Sequence, residues 1–513
     1  MKRLLAAAIW LVGAVSAAGA APPNLIVFLV DDLGLMDTSV PMLTDEQGNP
    51  QRHPLNDWYR TPNLERFAAD GVRFSNFYAQ SVCSPTRRSL LTGQNAARHG
   101  TTTWINPATN NGGKHGPPDW VWRGIGQGEV TLPTLLQSAG YQTLFVGKAH
   151  LGPIGSHGEE PLRVGFDRNV GGCAWGRPES YYGQDGYGWI HPGVDGKPGG
   201  GVLRAVPHLE AYHGTETYLT EALTQESLRL LESAVAAGKP FFLELSHYAV
   251  HGPFHKDPRF VEHYAGRGPN ERAEAFATMV EGMDKSLGDV LAKLRQLGVA
   301  RDTLVVFLGD NGSDAPIGNQ NEIACSAPLR GKKGSHYEGG SRVPCVIGWA
   351  EADSRNANQQ AWPVASAGVQ QQVATVMDLL PTLCEVAGVK PPAGHVVDGQ
   401  SLAPQLTGKP TPGRRETFLL HFPHEHRSNY FTTYRDGDWK VAYHYFPSRN
   451  VSKKRYELFN LVDDPSESNN LAESRPEQLR AMMQNLADQL EAEGARLPVD
   501  SRGEPMRPIV PGV

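Results

Sequence analysis

Asn24-Leu25-Ile26-Val27-Phe28-Leu29-Val30-Asp31-Asp32 is the stretch that decides how this chain folds. An uninterrupted apolar run fills both the odd and the even positions. A strand of that kind is covered on both faces, as the central strands of a parallel sheet are. The run then stops at two adjacent acids. Carboxylates at the end of a buried strand are costly unless something positive meets them. In open α/β sheets, ligands gather at the carboxyl ends of the strands.

Later runs repeat the pattern. Residues 303–309 form a second apolar run, ending in Asp310-Asn311-Gly312. Residues 141–146 end in Gly147-Lys148-Ala149-His150, and residues 240–245 are followed by His247 and His251. Four predicted core strands therefore deliver charged or metal-capable side chains to one sheet edge. Asp31, Asp32, Asp310 and Asn311 offer only oxygen, which favours a hard cation, Ca²⁺ or Mg²⁺, over zinc. Residues 217–237, 273–297 and 369–389 space their apolar side chains as helices do. Strands alternating with helices predict an α/β fold, a large doubly wound mixed sheet flanked by helices.

From about residue 413 the pattern shifts. Residues 430–434 and 439–446 read as short strands about Asp436-Gly437, a hairpin signal. Residues 456–461 read as another strand, and 475–497 as a final helix with a polar face. A smaller C-terminal antiparallel sheet plus helix is expected. The division is 1–20 as a signal peptide, 21–412 as the catalytic domain and 413–513 as the C-terminal subdomain.

Lys2 and Arg3, the apolar residues 4–15 and Ala18-Gly19-Ala20 have the layout of a secretory leader. Export to a periplasm or to the medium is expected, without a membrane anchor. A chain of 513 residues with formal net charge -6 is large enough for two domains and is not a general nucleic-acid binder. The five cysteines are Cys83, Cys173, Cys325, Cys345 and Cys384, an odd number in a compartment that permits disulfides.

Cys83 lies in Ser81-Val82-Cys83-Ser84-Pro85-Thr86-Arg87-Arg88-Ser89-Leu90-Leu91-Thr92-Gly93, where a small polar turn leads into a short helix. Its residues fit either a nucleophile with Arg87 as cationic neighbour or a buried structural thiol. Cys-x-Pro-x-Arg followed by Ser-Leu-Leu-Thr-Gly resembles the signature of the type I sulfatases, in the alkaline phosphatase superfamily. Gly140-Tyr141-Gln142-Thr143-Leu144-Phe145-Val146-Gly147-Lys148-Ala149-His150-Leu151-Gly152 resembles that family's second signature. Further similar blocks surround His247-Tyr248-Ala249-Val250-His251, Asp310-Asn311-Gly312 with Arg330-Gly331-Lys332-Lys333-Gly334, and the C-terminal region.

The resemblance implies a mechanism. Cys83 would be converted to Cα-formylglycine by a sulfatase-maturating enzyme, and the aldehyde hydrate would attack sulfur. One Ca²⁺ would be held by Asp31, Asp32, Asp310, Asn311 and the modified residue 83. Lys148 and Lys333 would grip the sulfate, Arg87 would orient the nucleophile, and His251 would protonate the leaving group. His150 would help to regenerate the aldehyde. Lys332 stands beside Lys333, and His247 reads as structural. The substrate implied is a sulfated glycan or another sulfate ester. A phosphoester or phosphonate monoester hydrolase on the same fold is the rival reading, and a non-catalytic carbohydrate-binding relative is a third. Aromatics in two glycine-rich loops, Trp104, Trp120, Trp122, Trp175, Tyr181, Tyr182, Tyr187 and Trp189, either stack on sugar rings or pack the loops. His421-Phe422-Pro423-His424-Glu425-His426-Arg427 either lines the pocket or binds metal.

Overall fold

The computed structural model describes residues 21–190, 202–447 and 453–512. The leader read at 1–20 lies outside them. Strand β1 (Asn24–Val30) sits at the middle of an eight-stranded sheet. The other strands, in chain order, are β2 (Val72–Phe74), β3 (Gln142–Gly147), β4 (Arg168–Val170), β5 (Phe241–His247), β6 (Thr303–Gly309), β7 (Cys345–Trp349) and β8 (Gly368–Gln370). Their spatial order is β8-β2-β7-β6-β1-β5-β3-β4. β1 pairs in parallel with both β5 and β6, and only β7 runs against its neighbours.

The alternation along β1 feeds two cores. Ile26, Phe28 and Val30 join one apolar cluster, while Leu25, Val27 and Leu29 join another on the opposite face. Helices α2 (Leu219–Ala236) and α3 (Glu271–Gln296) cover the first face. Helices α1 (Cys83–Thr92) and α4 (Leu379–Val386) cover the second. Burial on both faces is why the central strands read as continuous apolar runs rather than alternating ones.

The C-terminal sheet has order β9 (Thr417–Phe422), β10 (Phe431–Asp436), β11 (Trp439–His444) and β12 (Tyr456–Asn460), all antiparallel. Phe418, Leu420, Phe422 and Phe431 pack into the main core. Leu419, Tyr434, Val441 and Leu458 face helix α5 (Pro476–Ala492) through Leu479, Met483 and Leu486. The hairpin at Asp436-Gly437 forms as expected, with Gly437 at φ +55.

Two local expectations fail, and one strand is unforeseen. Residues 369–389 are not one helix: Gly368–Gln370 pairs with Val72–Phe74, Ala374–Thr375 pairs with Phe77–Tyr78, and only Leu379–Val386 is α-helical. Sheet-edge pairing took the first part of the apolar pattern. Strand β9 lies in a stretch that the polar cluster around His421 concealed. Cys83 is not in a turn before a helix but is its first residue, with Val82 as N-cap. All five cysteines are free thiols. Among the described residues, no helix is long and apolar enough to cross a membrane.

Candidate active site

The carboxyl ends of β1, β6, β5 and β3 meet where the sequence places the acids, the histidines and Lys148. Asp31 and Asp32 follow β1, Asp310 and Asn311 follow β6, and all four are fully buried. The carboxylate oxygens of Asp31, Asp32 and Asp310 come within 4.8 Å of one another. Asp32 sits in the left-handed region at φ +59, an uncommon conformation for a residue with a side chain. Its N–H donates to Asp310 Oδ1 at 3.0 Å, which ties the two strand ends together. Local strain of this kind persists where the surroundings impose it, often at functional sites.

Three cations answer the three acids. Lys148 Nζ lies 2.6 Å from Asp31 Oδ2, and Lys333 Nζ lies 2.6 Å from Asp32 Oδ1. Arg87, on α1, donates to Asp310 Oδ2 through Nε at 3.0 Å and Nη2 at 2.8 Å. Its Nη1 donates to the Lys148 carbonyl and to Ser246 Oγ, both at 2.6 Å. Arg87 thus locks α1, β3, β5 and β6 together and bonds the carboxylates rather than Cys83. Lys332 turns away and donates to the Ala315 carbonyl at 2.6 Å, so Lys333 is the lysine of the site.

The pairing leaves a residue of unsatisfied oxygen. Asp31 Oδ1, Asp32 Oδ2 and Asn311 Oδ1 are buried acceptors without a hydrogen-bond partner among the described residues. Asn311 Nδ2 donates to Asp32 Oδ1 at 2.9 Å, which fixes the amide with its oxygen free. Burial, with Asp32 and against Lys148, pushes Asp31 up to about 6. Burial and Asp31 likewise push Asp310 up to about 6. Burial also opposes ionisation of Asp32, but Lys333, His251 and Lys148 hold its carboxyl well below the usual range. Orphaned oxygens from two carboxylates and one amide suit a hard divalent cation.

Cys83 and two histidines lie at the mouth. Cys83 Sγ is 3.3 Å from His150 Nδ1. His150 Nε2 lies 2.6 Å from the Ile105 carbonyl and must carry the proton there, which leaves the Nδ1 lone pair facing residue 83. Burial and Lys148 hold the His150 imidazole well below its usual range, in the neutral form. His251 Nε2 is 3.7 Å from Asp32 Oδ2, while Nδ1 is 2.7 Å from the Gly252 carbonyl. Burial and then Lys333 hold His251 down to about 3. His251 is therefore neutral without a ligand, and the negative charge of a bound anion favours its protonation.

Cys83, His150, His251 and Lys333 open into one cavity of about 460 Å³. Arg87 and Lys148 lie behind it, fully buried. Trp104 and Trp175 line the cavity, as do His426 and Arg427, whereas His421 and His424 are buried in structural hydrogen bonds. Trp120 and Trp122 donate their indole N–H groups to Asn110 and Asn106 in their own loop. His247 donates or accepts at Ser286 Oγ, 2.9 Å away in the core, as a structural residue would.

Tyr181 proves to be a packing residue of its loop rather than a sugar platform, and sequence reasoning missed several other participants. Tyr181 Oη donates toward the carbonyls of Tyr248 and His251 at 2.7 and 2.8 Å and fixes the His251 turn. Ser246, on β5, anchors Arg87. Arg177, Glu179, Arg204 and Asp314 also line the cavity. They come from loops with no periodic signal, and only proximity in space identifies them.

What this edge is equipped to handle is an oxyanion ester, and the class is that of a hydrolase. The chain belongs to the sulfatase family, which matches residues 23–389, and residues 336–496 match the N-sulphoglucosamine sulphohydrolase C-terminal family. It is 33% identical to N-acetylgalactosamine-6-sulfatase of Mus musculus, across 77% of this chain and 68% of that one. It is 30% identical to arylsulfatase A of Bos taurus, across 93% of this chain and 90% of that one. A crystal structure of Ps i-CgsB in complex with k-i-k-neocarrahexaose shares the fold, with TM-score 0.69, 22% identity and coverage of 91% and 93%. The protein is an arylsulfatase-like hydrolase of sulfate esters.

Proposed function

We propose that this sulfatase removes sulfate from carbohydrates outside the cytoplasm, using one Ca²⁺ and a formylglycine made from Cys83. The observation that carries the reading is the set of orphaned acceptors on Asp31, Asp32 and Asn311, beside a cavity that also opens onto Cys83 and His150. Asp31, Asp32, Asp310 and Asn311 would hold the ion. Bound there, it supplies Lewis-acid neutralisation of the sulfate oxygens, and residue 83, once an aldehyde hydrate, supplies the nucleophile.

The chain's own residues do the rest. Lys333, at the cavity wall, offers its ammonium to the sulfate, and Lys148 adds positive potential from behind. Arg87 acts through Asp310 and Ser246 as a positioning residue. His150 Nδ1, with its lone pair held toward residue 83, accepts a proton from the group there. His251 Nε2 gains a proton when the anion arrives and gives it to the departing alcohol. Trp104 and Trp175 provide apolar faces on which a sugar ring can stack. Support for a sugar substrate comes from these walls and from the amino-sugar sulfatases among the relatives. Support for export comes from the leader-like residues 1–20.

Expression with a sulfatase-maturating enzyme tests the reading. Mass spectrometry of the peptide spanning residue 83 should show the cysteine replaced by the aldehyde. The matured protein should release sulfate from sulfated sugars, lose that activity to a chelator and regain it with Ca²⁺. Equal kcat/KM on matched aryl phosphate and aryl sulfate, or full activity of the unmodified cysteine form, would overturn it.

A further inference from the structure

The cavity wall carries charge that sulfate removal alone does not use. The loop after β4 supplies Trp175, Arg177 and Glu179, and Arg204 reaches them from just after the short strand Val202–Leu203. Arg204 Nη1 is 2.9 Å from Glu179 Oε1, and Arg177 Nη2 is 3.7 Å from Glu179 Oε2. The Arg204 guanidinium also lies over the Trp175 ring, 4.9 Å from its centroid. Two guanidinium groups against one carboxylate leave a net positive charge.

Asp314, also in the lining, is likewise shared by two cations: Arg427 Nη2 is 2.8 Å from Oδ2 and Lys332 Nζ is 3.9 Å from Oδ1. Those two side chains are only 32% and 9% exposed, so the excess charge open to a ligand sits beside Trp175. The side chains of Arg177 and Arg204 are 55% and 56% exposed, so their bonds to Glu179 are weak and readily exchanged. Gly176, between Trp175 and Arg177, packs on the catalytic side: a Cβ there would come within 2.5 Å of His150 Cε1. Arg177 thus follows directly on a residue that packs against His150, and both arginines line the cavity onto which Cys83 opens.

We propose that Arg177 and Arg204, with Trp175 as platform, form a subsite for a second anionic group, a carboxylate or a further sulfate. That group lies on the sugar next to the one bearing the scissile sulfate. The substrate class is then a polyanionic glycan rather than a singly sulfated neutral sugar. The inference rests on the sulfatase reading of the same cavity. The planar guanidinium fork suits both anions, because each presents paired oxygens.

The test uses three sulfated disaccharides that differ only on the neighbouring sugar: a free uronate, its neutral methyl ester, and a neutral sugar with a second sulfate. The matured enzyme should favour at least one anionic member over the ester by about tenfold in kcat/KM, the size of a charge-assisted contact. Which one is favoured identifies the source. In the Arg177→Ala/Arg204→Ala protein that ratio should fall toward one. An ester turned over as well as both anions, or a ratio that survives the double substitution, would overturn the subsite. Calorimetric titration of the three disaccharides into Cys83→Ala protein reads the same ratio in Kd without any chemistry. A protein that hydrolyses none of them would sink the proposed reaction, and the Kd ratio would still decide the subsite.

Discussion

Two of the buried charge clusters among the described residues are built from similar side chains and behave differently. At the junction with the C-terminal sheet, Lys440 Nζ lies 3.0 Å from Glu338 Oε1 and 2.7 Å from Glu467 Oε1. The Glu338 N–H donates to Glu467 Oε2 at 2.6 Å, and Tyr78 and Arg435 complete the group. Neither glutamate there has an orphaned oxygen. At the sheet edge, three acids face three cations, yet Asp31 Oδ1, Asp32 Oδ2 and Asn311 Oδ1 stay unsatisfied. Opposite charges in balance therefore do not distinguish a structural cluster from a ligand site. Between these two clusters the convergence of three unused acceptors at one sheet edge does, because buried polar atoms without partners are costly unless a ligand completes them.

The contrast predicts different responses to substitution. Cys83→Ala should lower kcat/KM by on the order of 10⁴–10⁶ with unchanged thermal unfolding, since it removes the nucleophile and little packing. Steady-state kinetics beside a melting curve checks this, and a variant retaining a tenth of the activity would contradict it. Asp310→Ala should lose bound Ca²⁺ and activity together, on the order of 10³-fold, the several kcal/mol expected of a lost metal. Metal analysis that finds the ion still bound would remove Asp310 from the ligand set.

His251→Ala should cost about 10²–10⁴ on sugar sulfates, the range for a general acid. The loss should be far smaller on 4-nitrophenyl sulfate, whose leaving group needs little protonation. Equal losses on both substrates would deny His251 that role. Lys440→Met, in the satisfied cluster, should have the least effect on turnover. It should destabilise the fold by about 3–5 kcal/mol, because it leaves Glu338 and Glu467 short of a partner. Activity per folded molecule and bound Ca²⁺ should not change. Loss of the ion in this variant would mean that the two clusters are not separate.

Legibility in the sequence follows the same divide. The central strands were readable because they are buried on both faces, and their ends carried Asp31, Asp32, Lys148 and Asp310 into view. Burial on one face or at an edge is less clear, which is why 369–389 reads as one helix and β9 gives no strand signal. Cys83 was found by its motif, but its place as the first residue of α1 depends on Val82 taking the extended cap conformation. The resemblance already favours Lys333 over Lys332, and the Lys332 bond to the Ala315 carbonyl agrees with it. Arg177, Arg204 and Ser246 meet the site through loops or as single strand positions, where nothing in spacing marks them, and Tyr181 is legible only as one aromatic of a loop.

The central claim is that the buried acids at the sheet edge, Asp310 among them, form a cation site with the orphaned oxygens, and Ca²⁺ titration of the chelated protein by calorimetry tests it most directly. One ion per chain should bind to the unsubstituted protein and none to Asp310→Ala, while Lys440→Met binds as the unsubstituted protein does. No binding heat in the unsubstituted protein, or the same isotherm in Asp310→Ala, would contradict the account.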